Sequence, residues 1–142
     1  MRHLLLATCL TACAAHDPSE TYRIAVDPGD SDIERYREGA STWAEIGILE
    51  DPASNVVIWF QRDPHLITRT GHGAMVDRST RVVTIDSSLV GFNLLVASAH
   101  EVGHVVLDTP RHTTCGVMGG YDVVLCDQDL ALACEIIGLG CD

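Results

Sequence analysis

One short motif constrains this chain more than any other feature: a His-Glu-x-x-His sequence inside the apolar 15-residue segment NLLVASAHEVGHVVL, residues 93–107. Residues four apart lie on the same face of a helix, one turn from each other. His100 and His104 can therefore hold one Zn²⁺ at about 2.0–2.1 Å from each imidazole. Glu101 is offset from His100 by about 100° of helix, so it can sit beside the metal and take a proton from a zinc-bound water. The segment predicts a helix over 93–107, capped by Asn93, that carries a catalytic zinc site.

A zinc site of this kind needs a third protein ligand, and two residues are candidates. The commonest place for that ligand is six residues beyond the second histidine, where this chain has Pro110, which cannot bind a metal. His112 follows in a loop that Pro110 breaks out of the helix, and we expect it to be the third ligand. Asp108 is the alternative, because it lies one turn beyond His104 and would stay on the ligand face if the helix continued. Otherwise Asp108 ends the helix or accepts a hydrogen bond from a ligand histidine.

The remaining elements follow from apolar periodicity and turn signals. The sequence predicts strands at residues 22–28, 55–60, 74–76 and 81–86, and helices at 32–47, 93–107 and 128–137. The continuous apolar run of 55–60 is typical of a strand buried on both faces, and Trp43 is expected in the core. This order predicts an α+β domain, with a small mixed twisted sheet, a long backing helix, the His-Glu helix and a mostly helical C-terminal part.

Length and charge limit the classes of protein that are possible. A chain of 142 residues supports one core, so we expect a single monomeric domain over residues 21–142. The net charge is −11 and the chain contains no lysine. An acidic chain of this kind is not attracted to nucleic-acid phosphates, and nucleic acid is set aside as a partner.

The N-terminus is typical of an export signal. Residues 1–13, MRHLLLATCLTAC, have a basic start and an apolar run that is too short to span a bilayer. The end of that run, LTAC, resembles the lipobox of bacterial lipoproteins. The resemblance implies that residues 1–12 are removed, that Cys13 carries a lipid, and that 13–20 form a tether to the periplasmic or cell-surface side of a membrane. The alternative is an ordinary signal peptide cut near Ala14 or Ala15. Both predict an exported protein.

Export makes the four cysteines that follow the His-Glu helix candidates for disulfides. Four cysteines allow three connectivities. We expect Cys115–Cys126 and Cys134–Cys141, each closing a short loop.

Two motifs together resemble a known family. HEVGH, followed after a loop by CGVMGG, is similar to the active-site segment of the metzincin clan of zinc endopeptidases, and particularly to small matrixin-like members. The resemblance implies a zincin-like fold and places Met118 in a Met-turn beneath the metal. It also offers Tyr121 as possible support for the oxyanion, although a packing role is the alternative. Substrate would pair as an extended strand with the sheet edge near residues 73–77.

The chain departs from the family pattern at two positions. Leu107 stands where the family has a glycine that lets the chain turn after the helix, and Pro110 stands where it has the third histidine. Outside the motif, His65 and His72 lie in a polar loop and are expected to be exposed. Asp27, Asp30 and Asp32 are expected to serve as turn and cap residues.

The sequence therefore predicts a zinc-dependent endopeptidase that acts on peptide or protein substrates. His100, His104 and His112 would hold Zn²⁺, and Glu101 would be the general base. Two alternatives stay open. One is a catalytically degenerate lipoprotein that binds zinc, and the other is a structural or adhesive surface module without metal.

Overall fold

The computed structural model describes residues 21–139 and residue 141. Its elements, in chain order, are β1 (Thr21–Val26), α1 (Ile33–Ala40), a 3₁₀ helix (Ser41–Ile46), β2 (Leu49–Glu50), β3 (Val57–Asp63), α2 (Leu66–Thr70), β4 (Ala74–Asp77), β5 (Val82–Asp86), α3 (Gly91–Val106) and α4 (Asp127–Ile137). The signal peptide, Cys13 and the tether predicted from the sequence lie outside the described residues.

The strands form one mixed sheet in the order β2-β1-β3-β5-β4. β1 pairs in parallel with both β2 and β3, and β3 pairs in parallel with β5. β4 is antiparallel to β5, with Ala74 opposite Ile85 and Asp77 opposite Val82. The chain is thus a mixed α/β domain with a mostly parallel sheet, and β4 forms one edge of it.

The core lies between one face of the sheet and the helices α1 and α3. Tyr36 of α1 stacks on Phe60 of β3, with ring centroids 4.4 Å apart. Trp43, which is fully buried as expected, donates a hydrogen bond from Nε1 to the carbonyl of Ala99 in α3, at 2.9 Å. The 3₁₀ helix is therefore held against α3 by a side-chain hydrogen bond as well as by apolar packing.

The prediction that residues 55–60 are buried on both faces is wrong. Ile58 and Phe60 are fully buried, but Trp59 between them is 37 % exposed. Its Nε1 donates to a carboxylate oxygen of Asp27 at 3.1 Å, on the face of the sheet away from the core. Among the residues that the structure describes, the core is built on one face of the sheet, so β3 alternates between buried and exposed side chains as a half-covered strand does.

Element bounds differ from the prediction by a few residues in β1 and β3, and the larger differences are in the helices and in two short elements. The predicted helix 32–47 is an α-helix only to Ala40 and continues as the 3₁₀ helix, which ends at Gly47 with φ 87°. α3 begins at Gly91, with Val90 as its N-cap, so Asn93 lies inside the helix and does not cap it. β2 and α2, of two and five residues, were not predicted, because elements this short carry no periodic signal.

Both predicted disulfides are present, Cys115–Cys126 and Cys134–Cys141. Disulfides are typical of proteins in an extracellular or otherwise oxidising environment. Among the described residues, the model contains no helix with both the length and the apolar character that crossing a membrane requires.

Candidate metal centre

Three histidines meet at the C-terminal half of α3. The Nε2 atom of His104 lies 3.1 Å from Nε2 of His100 and 3.2 Å from Nε2 of His112. Two ligands of a tetrahedral ion at about 2.0–2.1 Å from each would be about 3.3 Å apart. The spacing of the nitrogens therefore fits one small metal ion held by all three imidazoles.

Backbone carbonyls fix the tautomers of the two helical histidines. Nδ1 of His100 lies 2.9 Å from the carbonyl oxygen of Val117, and Nδ1 of His104 lies 2.7 Å from that of Thr109. A carbonyl can only accept a hydrogen bond, so each Nδ1 must carry the proton. In a neutral ring Nε2 then has a free lone pair, which is the form that binds a metal.

Burial keeps these rings neutral. Loss of solvent lowers the pKa of His104 from 6.5 to about 4, although its hydrogen bond to Thr109 acts in the opposite direction. Burial also lowers the pKa of His100. At neutral pH, bare Nε2 atoms of His100 and His104 therefore face each other with no proton between them. A cation among the three nitrogens would bind both lone pairs.

The loop between His104 and His112 turns without the glycine that the resemblance implied at position 107. α3 ends at Val106, and Asp108 adopts the left-handed conformation, with φ 45°. The amide of Asp108 donates to the carbonyl of Val105 and the amide of Thr109 to that of His104, both at 3.2 Å. These two bonds form a Schellman motif, and aspartate is one of the few residues that tolerate this backbone conformation.

This turn decides where the two candidate third ligands lie. The chain leaves the helix one residue later than a glycine at position 107 would allow, and it brings the ring of His112 back to the site. The carboxylate of Asp108 instead forms an ion pair with Arg78, at 3.0 Å, and its side chain is 59 % exposed. The structure therefore groups His112, and not Asp108, with His100 and His104.

Glu101 lies in the wall of the cleft beside the histidines. Its side chain is buried, and burial raises its pKa from 4.5 to about 7. His104 and His112 line the same cleft, which has a volume of about 260 Å³. A carboxyl group with a pKa near neutrality can both accept and release a proton at physiological pH.

The cleft runs along the edge strand β4. Ala74, Met75 and Val76 of this strand line it together with His104 and His112. A neighbouring cavity, also about 260 Å³, shares Ala74 and Glu101 and is bordered by Leu89, Val96 and His100, among others. The two cavities together make a trough beside β4 that passes the three histidines.

The segment after His112 packs beneath α3. Met118 is fully buried, and a Cβ added at Gly103 would collide with both its sulfur and the ring of Trp43. Gly103 thus allows Met118 to approach the helix backbone one turn from His100. Met118 therefore packs against α3 beside Gly103, and its role in a Met-turn stays a prediction.

A buried aspartate that the sequence did not single out organises this segment. Asp129 of α4 is fully buried. Its carboxylate accepts hydrogen bonds from the amides of Val117 (2.8 Å), Met118 (3.1 Å) and Cys126 (3.1 Å), and from the hydroxyl of Thr113 (2.8 Å). The only sequence signal for it was its place in the first turn of a helix, where acidic residues are common.

Other residues considered from the sequence lie apart from the triad. Tyr121 is 73 % exposed, next to Gly120, which borders the cavity beside His100. His65 and His72 are exposed, as expected, although His72 lines the mouth of the cleft. The three N-terminal aspartates have turn and pairing roles: Asp27 accepts from Trp59, Asp30 from Tyr36, and Asp32 from Arg62.

The kind of metal ion that the site can hold follows from its ligand atoms. Three imidazole nitrogens suit zinc, and also copper, iron or nickel, so the geometry supports a metal ion without identifying it. The zincin-like fold and the metzincin family are not shown by any likeness to another protein. No family model, curated protein or solved structure matches the chain.

Proposed function

We propose that the protein is a zinc-dependent endopeptidase. The observation that carries the proposal is the convergence of three imidazole Nε2 atoms beside a buried glutamate. In two of the three rings, a hydrogen bond from Nδ1 leaves Nε2 with a free lone pair. Three protein ligands leave a fourth position open in a tetrahedral zinc site, which is typical of catalytic rather than structural zinc. The cleft gives a substrate access to that position.

Zinc, when bound, supplies a Lewis acid that polarises a scissile carbonyl and acidifies water. The residues of the chain do the rest. His100, His104 and His112 hold the ion, and the carbonyls of Val117 and Thr109 keep the first two rings oriented. Glu101, buried in the wall of the same cleft, accepts the proton of the attacking water and passes it to the leaving amine.

The substrate class follows from the trough beside β4. A strand at a sheet edge has unpaired backbone groups on its outer side. An extended peptide can pair with them by adding a further strand. Residues 73–77 are therefore proposed to align a peptide so that one of its carbonyls lies over the triad.

Export and anchoring are also proposed, on the sequence of residues 1–13. The two disulfides support an oxidising compartment. Lipidation of Cys13 is tested by expressing the full chain in a bacterium and measuring the mass and membrane partition of the product. A lipid-modified N-terminus that Cys13→Ala abolishes is expected, and a product cut at Ala14 or Ala15 with no lipid would contradict the anchor.

The activity is tested by incubating the zinc-loaded protein with a mixture of unrelated peptides and identifying new termini by mass spectrometry. Glu101→Gln is expected to lower cleavage by about 10²–10⁴-fold while retaining zinc. Glu45→Gln, at an exposed position, is the matched control and should cleave normally. Cleavage that survives in Glu101→Gln would contradict the mechanism, and zinc binding without cleavage of any peptide would favour the degenerate alternative.

A further inference from the structure

We propose that the Cys115–Cys126 disulfide and Asp129 position His100 for metal binding, so that reduction of this one disulfide lowers the affinity for the metal. The inference rests on the proposed metal site, and it adds a redox dependence to it. The positioning group is the carbonyl of Val117, which lies inside the ten-residue loop that the disulfide closes.

The two helical histidines depend on different parts of the chain. His104 is oriented by the carbonyl of Thr109, five residues away, which the Schellman turn at the end of α3 holds in place. His100 is oriented by Val117, seventeen residues away, in a segment that belongs to no helix or strand. The placement of His100 therefore depends on whatever holds that segment against α3.

Asp129 and the disulfide hold it from two sides. The Asp129 carboxylate accepts from the amides of Val117 and Met118, and also from the amide of Cys126 itself. The disulfide joins Cys126, the residue just before α4, to Cys115, two residues before Val117. One carboxylate and one covalent bond thus tie the Val117 backbone to the start of α4.

The Asp129 carboxylate and the disulfide both pack closely against Gly116, the residue before Val117. Gly116 has φ 59°, and a Cβ there would collide with the Asp129 carboxylate and lie within 3.0 Å of the Cys126 sulfur. The carboxylate and the bridge therefore pack directly against the backbone of the residue that precedes Val117. Without the bridge, the Val117 carbonyl can move away from His100, and the ring loses the partner that keeps its proton on Nδ1 and its Nε2 lone pair free.

The redox step is an ordinary thiol–disulfide exchange. Both cysteines are only half-buried, so a small dithiol can reach them. One thiolate of the dithiol attacks a sulfur of the bridge and displaces the other as a thiolate. The second thiolate of the reductant then breaks the mixed disulfide. The products are two protein thiols and the oxidised, cyclic reductant, so two electrons and two protons pass to the protein.

The second disulfide provides a matched control. Cys134–Cys141 closes a loop of similar size, with a sequence separation of 7 against 11, but it joins the last turn of α4 to the residues that follow the helix. We would measure the dissociation constant for Zn²⁺ against a competing chelator in the wild type, in Cys115→Ser/Cys126→Ser and in Cys134→Ser/Cys141→Ser. The first pair is expected to weaken zinc binding by about 10- to 100-fold, as loss of a ligand's hydrogen-bond partner does, and the second to leave it unchanged.

A spectroscopic readout separates positioning from general destabilisation. The ¹⁵N chemical shifts of the His100 ring report which nitrogen carries the proton. In the metal-free wild type we expect it on Nδ1, and in Cys115→Ser/Cys126→Ser a mixture of both tautomers, with His104 unchanged. Asp129→Asn should shift His100 in the same direction, and it keeps the inference testable if the double variant does not fold.

The outcomes distinguish the two proposals. Failure of the wild type to bind zinc would overturn the proposed function. Wild-type zinc binding that is unchanged in Cys115→Ser/Cys126→Ser, or weakened equally in both double variants, would overturn the redox inference alone.

Discussion

Replacing Glu101 by glutamine should make the metal-free protein more stable at alkaline pH. The pKa of Glu101 is about 7 in the folded protein against 4.5 for an ordinary glutamate, a gap that corresponds to about 3 kcal/mol. Because the folded state binds this proton more tightly than the unfolded chain, Glu101 reduces the free energy of unfolding as the pH rises from 4.5 to 7. Above pH 7 the full cost of about 3 kcal/mol is present.

Glutamine does not ionise, so the free energy of unfolding of the variant does not fall in this way as the pH rises. We expect wild type and Glu101→Gln to be similar in stability near pH 4, and the variant to be more stable by about 3 kcal/mol at pH 8. His104, whose lowered pKa adds stability as the pH rises from about 4 to 6.5, contributes to both proteins and is removed by taking the difference between them.

The assay is urea unfolding at several pH values with a chelator present, followed by the fluorescence of the buried Trp43 and the partly exposed Trp59. Glu45→Gln is the control for loss of an exposed carboxylate. A stability difference between wild type and Glu101→Gln that does not change with pH would refute the argument, since it would mean that Glu101 is not buried as a charged group. Adding Zn²⁺ should shrink the difference, because a nearby cation stabilises the carboxylate.

Further predictions concern the residues that support the site. Gly103→Ala should destabilise the protein by about 1–3 kcal/mol, measured by thermal unfolding, because the new methyl group collides with Trp43 and with the Met118 sulfur; an unchanged melting temperature would contradict the packing. Asp108→Gly should leave both stability and zinc affinity nearly intact, because glycine accepts the φ of 45° and the exposed ion pair that is lost is worth about 0–1 kcal/mol. A large loss of zinc in this variant would instead make Asp108 a ligand. Asp129→Asn should cost at least about 2 kcal/mol in urea unfolding, because buried donors lose a charged acceptor, and a neutral effect would show that the segment is held by other contacts.

Three features could be predicted because each depends on local spacing: the His-Glu helix, the pairing of the cysteines and the approach of His112 to the two helical histidines. Helical periodicity fixes the relation of His100 to His104, and Pro110 forces the chain out of the helix before His112. The sequence also indicated a mixed sheet with helices against it, since its signals run in the order strand, helix and three strands before α3. In each case the information lies within a few residues of the position concerned.

The rest depends on contacts between distant parts of the chain. Asp129 looks like an ordinary residue of a helical first turn, and only the folded structure brings it to Val117 and Met118. Trp59 is exposed because no helix within residues 21–139 covers the outer face of β3, which an apolar run cannot reveal. A left-handed aspartate ends α3 one residue beyond the position where the resemblance implied a glycine, and no local pattern indicates that Asp108 takes this conformation.

The central claim is that His100, His104 and His112 bind one zinc ion together. X-ray absorption spectroscopy of the zinc-loaded protein tests this most directly, because it counts imidazole ligands and measures their distances. We expect one zinc per chain with three imidazole nitrogens at about 2.0–2.1 Å, and two in His112→Ala. Binding well below one equivalent, or a wild-type spectrum with only two imidazoles, would contradict the account.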